Sequence, residues 1–243
     1  MPPLDLNKVI TFVGDNIGSF HTARLESLKK LKLRQILKRK NPYLFKAKYI
    51  IAAPDLVKML LEAHLSSQEE TMFGEFLEEL AIFICGQVYG GRKSSAEGID
   101  LEFEKEGVLY IVSIKSGPNW GNSGQIAKMK DNFRKARKIL RTSKSTANVV
   151  AINGCCYGQD NQPDKADYLK LCGQRFWEFV SGELELYTQI IEPLGFKAKE
   201  KNEEFMTAYV QLVTNFTVEF AKDFCDDGVI NWERLVKFNS AQE

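Results

Sequence analysis

The chain is poor in the residues that build most metal and cofactor chemistry. It has 2 histidines and 5 cysteines in 243 residues. His21 and His64 stand alone, and Cys85, Cys155, Cys156, Cys172 and Cys225 form no C-x-x-C pair, so a zinc site is not expected. No phosphate-cradling or dinucleotide glycine pattern occurs, which argues against an NTP-driven machine. No apolar run is long enough to cross a bilayer and no secretory leader is apparent, so the expected location is cytoplasmic. The cysteines then read as reduced, small hydrophobic residues. A formal net charge of +1 excludes a uniformly basic nucleic-acid binder, although local charge outweighs the total.

Locally the charge is uneven. Between Arg24 and Lys48 the single acid is Glu26, against a series of cations that includes Lys29, Lys30, Lys32, Arg34, Lys38 and Arg39. A second basic run holds Lys128, Lys130, Arg134, Lys135, Arg137 and Lys138. Such runs suit phosphate contacts, which give affinity and orientation, while base contacts must supply specificity.

The most informative stretch lies between these runs. Gly98-Ile99-Asp100-Leu101-Glu102-Phe103 and Leu109-Tyr110-Ile111-Val112-Ser113-Ile114-Lys115 are β-branched and aromatic, and a polar turn, Glu104 to Gly107, joins them. The pattern predicts a hairpin with Asp100 and Lys115 side by side. Ser113 and Lys115 share one face of their strand. Phosphodiester hydrolysis needs a cation on the phosphate, an activated water and positive charge near the developing negative charge. A carboxylate such as Asp100 suits Mg²⁺, a lysine suits the water, and the Ile114 carbonyl is a further metal ligand.

The loop Ser116 to Gly124 follows, with Asn119, Asn122 and Ser123 as donors suited to phosphate or base edges and Trp120 as an anchor to the core. Before the hairpin, Phe73, Phe76, Leu77, Leu80, Phe83 and Ile84 form a stripe on a helix beginning near Glu69. On that stripe Glu79 sits at the border, and Glu75 and Glu78 lie further toward solvent. Asn148 to Cys156 and Tyr168 to Cys172 read as strands, and Phe176-Trp177 as part of a helix.

The order of acidic helix, Gly-Ile-Asp strand, Ser-Ile-Lys strand, tryptophan loop and basic helix resembles type II restriction endonucleases of the PD-(D/E)xK superfamily. The more specific segments are Met72-Phe73-Gly74-Glu75-Phe76-Leu77-Glu78-Glu79, Lys115-Ser116-Gly117-Pro118-Asn119-Trp120 and Gly173-Gln174-Arg175-Phe176-Trp177-Glu178-Phe179. The resemblance implies Mg²⁺-dependent, sequence-specific cleavage of double-stranded DNA by a homodimer, alongside a cognate DNA methyltransferase. Asp100 would bind metal, Lys115 would orient the attacking water, and Gln125 would reach a phosphate or a metal-bound water. Ser113 stands where the superfamily usually has Asp or Glu, as in its Ser-x-Lys variants, so the second carboxylate must come from elsewhere, with Glu79 ranked first.

The implied fold is α/β, a mixed sheet flanked by helices in a core over 69–185, with helical regions at 1–68 and 186–243 that serve dimerisation and a DNA clamp. Candidate DNA contacts are Asn119, Asn122, Ser123, Lys128, Arg134, Lys38 and Arg39. The alternatives are a structure-selective repair nuclease and a non-catalytic DNA-binding relative that lost its metal site.

Overall fold

In the computed structural model, residues 3–143 and 148–242 are described. Helices α1 (Leu6–Lys29), α2 (Leu33–Arg39), α3 (Pro42–Ala47) and α4 (Ala53–Tyr89) lead into strands β1 (Arg92–Lys93), β2 (Leu101–Lys105) and β3 (Val108–Lys115). Then come α5 (Ser123–Ser143), β4 (Asn148–Cys155), β5 (Leu169–Cys172), α6 (Gln174–Ser181) and the short α7 (Leu186–Gln189) and α8 (Ile191–Leu194). Helix α9 (Ala198–Phe224), a small hairpin of β6 (Cys225–Asp226) and β7 (Val229–Ile230), and α10 (Trp232–Ser240) complete the order. Two compact units result: one takes the chain up to Gly18 together with Phe73–Phe196, the other Ser19–Met72 and the chain from Lys197 onward.

The first unit holds a five-stranded sheet in the order β1-β2-β3-β4-β5. It is mixed: β1, β2 and β3 run antiparallel, while β3, β4 and β5 run parallel. The β2–β3 hairpin closes tightly because Lys105 pairs with Val108 and the two loop residues, Glu106 and Gly107, both take left-handed backbone, with φ of 54° and 74°. Positive φ at both positions matches the twist of a two-residue hairpin turn. After β3 the chain crosses through α5 to reach the parallel neighbour β4, since no short turn can join parallel strands.

Helix α5 buries Met129, Phe133 and Ala136 against Leu109, Ile111, Val149 and Ala151 of the sheet. Each large side chain so buried contributes about 1.5–3 kcal/mol. The opposite strand face carries aromatics: Phe103 stacks on Tyr89 and Tyr110 at 5.4 and 5.3 Å, and Phe179 meets Tyr110 edge-on at 5.0 Å. These contacts leave the middle strand covered on both faces, which is why its sequence is almost wholly apolar.

The second unit is helical apart from β6 and β7. Leu33, Ile36, Leu56, Leu60, Phe216, Phe220 and Leu235 form its core, drawn from α2, α4, α9 and α10. Asn41 caps α3 by accepting from the Tyr43 and Leu44 amides, with Pro42 at the first turn, and Asn231 caps α10 by accepting from Arg234.

Two sequence expectations change. The acidic helix does not begin near Glu69: α4 runs unbroken for 37 residues from Ala53, so the 68/69 boundary falls inside it. Between Asp55 and Phe73 the chain has no proline or glycine to interrupt a helix whose apolar residues are buried, and Ser66-Ser67 is too weak a break. Strands β1, β6 and β7 are two residues long, below what alternation can reveal.

Candidate active site

Asp100 sits just before β2, and its amide donates to the Val112 carbonyl at 2.8 Å. Since Leu101 pairs with Val112, Asp100 lies opposite Ser113, and Lys115 is its diagonal neighbour instead of its direct partner. Preceding it, Gly98 has φ +70°, and the Asn132 side chain fills the space a Cβ would need. That position accepts only glycine, which fixes how Asp100 enters the hairpin.

The Asp100 carboxylate is held from several sides. Its Oδ2 accepts from the Ile114 amide at 2.6 Å and from Ser113 Oγ at 3.5 Å, and it stands 3.5 Å from Lys115 Nζ. Lys115 Nζ also donates to the Ile114 carbonyl at 2.7 Å and lies 5.5 Å from the centre of the Trp120 ring. Asp100 and Lys115 are 19% and 30% exposed, so the pair is sheltered yet reachable from solvent. Ser113 is buried.

A second carboxylate comes from α4. Burial and then the negative charge of Asp100 push the Glu78 carboxyl above its usual range, while Lys93, 3.5 Å away, and Lys115 pull the other way. One turn earlier, a Cβ on Gly74 would touch Ser116 at 3.5 Å, so this face of α4 packs on the end of β3. Glu78, at i+4 from Gly74, shares that face.

Glu79, ranked first from the sequence, and Glu75 are exposed, whereas Glu78 is half-buried and feels the charge of Asp100. The reason is a rotated stripe. Ala81, Cys85 and Val88 are buried, whereas Phe73 and Phe83 are only half-buried. At about 100° per residue, this turns the centre of the apolar face by roughly half a residue step toward Glu78.

Beneath Glu78 lies Cys156, whose thiol is pushed up to about 12, first by burial and then by the charge of Glu78. It remains a neutral hydrophobic floor and not a nucleophile at neutral pH. Among the described residues no three His, Cys, Asp or Glu side chains converge as a metal group. The site offers two carboxylates, and the Ile114 carbonyl accepts from Lys115 Nζ at 2.7 Å.

The remaining candidates divide. Asn122 and Gln125 form a reciprocal cap on α5: Gln125 Oε1 accepts from the Asn122 amide at 2.9 Å, and Asn122 Oδ1 from the Gln125 amide at 3.0 Å. Both side chains thus satisfy helix-end groups. Asn119 and Ser123 are exposed. Lys128 pairs with Glu97 at 3.8 Å and Arg134 with Asp131 at 3.3 Å, all near the surface. Lys38 and Arg39 are exposed on α2 of the other unit, with Lys38 Nζ 5.8 Å from the Phe238 ring centre.

Where β4 and β5 end, a cleft of about 720 Å³ opens between Phe73 and Leu77 of α4, Cys156, Gln174, Arg175 and Trp177. Parallel strands commonly present ligand sites at their carboxyl ends. No helix of the described residues is long and apolar enough to cross a membrane.

A mixed sheet flanked by helices, with Asp100 at the head of β2 meeting Lys115 at the end of β3 beside a helical carboxylate, has the form of a restriction-endonuclease-like core. Residues 7–202 match the family profile of the type II restriction endonuclease EcoO109I, and the chain belongs to that family. A search of curated proteins finds no match.

Proposed function

We propose that the protein is a Mg²⁺-dependent endonuclease that hydrolyses phosphodiester bonds in double-stranded DNA at a specific, palindromic sequence. The observation that carries this reading is the cluster of Asp100 Oδ2 at 3.5 Å from Lys115 Nζ with the half-buried Glu78 carboxyl beside it. The negative charge of Asp100, added to burial, makes it costly for Glu78 to ionise, and a hard divalent cation between the two carboxylates would relieve that cost. Asp100, Glu78 and the Ile114 carbonyl would hold Mg²⁺, which when bound supplies charge neutralisation to the phosphate.

The chain's own groups supply the rest. Lys115 orients the attacking water and holds positive charge near the reacting phosphate. Ser113 and the Ile114 amide keep the Asp100 carboxylate aimed through hydrogen bonds instead of adding a ligand. Asn119, Ser123, Lys128, Arg134, Lys38 and Arg39 contact DNA, with the lysines and arginines on phosphates. A homodimer, built with the N- and C-terminal helical regions, sets two such sites about a two-fold axis, giving one cut per strand. A methyltransferase that marks the same sequence protects the host DNA.

Ser113 favours a second reading, a DNA-binding relative without its metal site. Mg²⁺ titration of plasmid cleavage by the parent, Glu78→Gln and Glu79→Gln separates the two. Loss of cleavage in Glu78→Gln with retention in Glu79→Gln supports the nuclease, and tight DNA binding by an inert parent supports the relative.

A further inference from the structure

Asn153 is a polar residue 1% exposed in the middle of β4, directly across the parallel ladder from Ser113. A buried amide is costly unless both its donor and its acceptor are used. Its Nδ2 donates to the Ser113 carbonyl at 3.2 Å, on the strand that carries Lys115. Its Oδ1 accepts from Trp120 Nε1 at 3.1 Å and faces Cys155 Sγ at 4.0 Å. The same indole lies 5.5 Å from Lys115 Nζ, which is 3.5 Å from Asp100 Oδ2. An unbroken series of contacts therefore runs from β4 through Trp120 to the Lys115–Asp100 pair.

The loop that carries Trp120 has a separate anchor. Lys170 Nζ donates to the Pro118 carbonyl at 2.8 Å and pairs with Asp160 at 3.5 Å. Holding the loop does not require Asn153, whereas fixing the plane of the indole does, because Nε1–H is the one polar handle on that ring.

We propose that Asn153 is a positioning residue: through the Trp120 indole it fixes the Lys115 ammonium at the distance from Asp100 at which it orients the attacking water. This rests on the role given to Lys115 above. A lysine on a flexible four-carbon stem gains most from such a wall, and a misplacement near 1 Å costs on the order of a hundredfold in rate.

The experiment compares Asn153→Ala, Trp120→Phe and the double variant. Single-turnover cleavage with Mg²⁺ should fall about 10–100-fold in each single variant, with DNA affinity held. The double variant should be no slower than the slower single, since both changes break one linkage. In the DNA-free protein, Asn153→Ala should shift the Trp120 indole N–H and the Lys115 side-chain resonances in NMR spectra. Additive rate losses, or a Lys115 resonance unmoved in Asn153→Ala, overturn the proposal. If Asn153→Ala does not fold, Trp120→Phe decides: cleavage at the parent rate overturns it. A parent protein that never cleaves refutes the nuclease reading instead, while the NMR shifts still report the coupling.

Discussion

Replacing Lys115 with alanine separates a catalytic lysine from a structural one. At 3.5 Å and an effective dielectric near 20, the attraction between its ammonium and the Asp100 carboxylate is about 5 kcal/mol before any cost. Partial exposure, solvent screening and the entropy of the lysine stem reduce the net contribution to about 1 kcal/mol. Asp100 keeps the Ile114 amide at 2.6 Å and the Ser113 hydroxyl at 3.5 Å in the variant, so it is not left bare. A chain of this size should then melt only about 2–4 °C lower. Cleavage should fall far more, by about 10²–10⁴-fold, the range for a positioned proton-transfer group. Thermal melts and single-turnover digestion of one preparation give both quantities. A variant that cuts within tenfold of the parent, or one that melts more than about 10 °C lower, well beyond that expected range, would refute this reasoning.

Further predictions concern charge, caps and assembly. Burial and Asp100 raise the folded-state Glu78 carboxyl above its usual range, so it costs no stability where both states are protonated and costs increasingly as pH rises through its folded value. In magnesium-free buffer Glu78→Gln should therefore melt above the parent at about pH 8 and level with it well below about pH 4, the ordinary carboxylate range, and equal melts at the higher pH would contradict the placement. Asn122→Ala removes a cap worth about 1 kcal/mol and should lower the melting temperature by about 3 °C without altering the Mg²⁺ requirement. A tenfold loss of DNA affinity with no change in melting would assign Asn122 to DNA instead. Light scattering at micromolar concentration should give a dimer mass, free and on DNA, and a monomer in both would remove the two-fold arrangement.

The hairpin was legible because strand alternation and a glycine turn are local signals, and the structure keeps it at β2 and β3 with Asp100 and Lys115 in contact. The strand at Asn148 was readable because its apolar residues form one short local run. Glu78 was harder: Ala81, Cys85 and Val88 are small or modest side chains that scarcely register in a stripe dominated by phenylalanines, yet their burial sets the rotation of α4. Asn122 and Gln125 carry the spacing of a capping box, three residues apart at a helix start, and their side chains close it with reciprocal bonds to each other's amides. Asn153 had one local sign, a single amide after Val149-Val150-Ala151-Ile152. What it bonds depends on strand register and on a loop some thirty residues earlier, neither of which a periodic pattern records.

The central claim is tested most directly by digesting unmethylated linear phage DNA with the purified protein in Mg²⁺ or in EDTA. The account predicts a fixed ladder of discrete fragments that appears with Mg²⁺, vanishes with EDTA and has the same base sequence at every fragment end. Intact DNA under both conditions from a folded protein, or a smear of random ends, would contradict it.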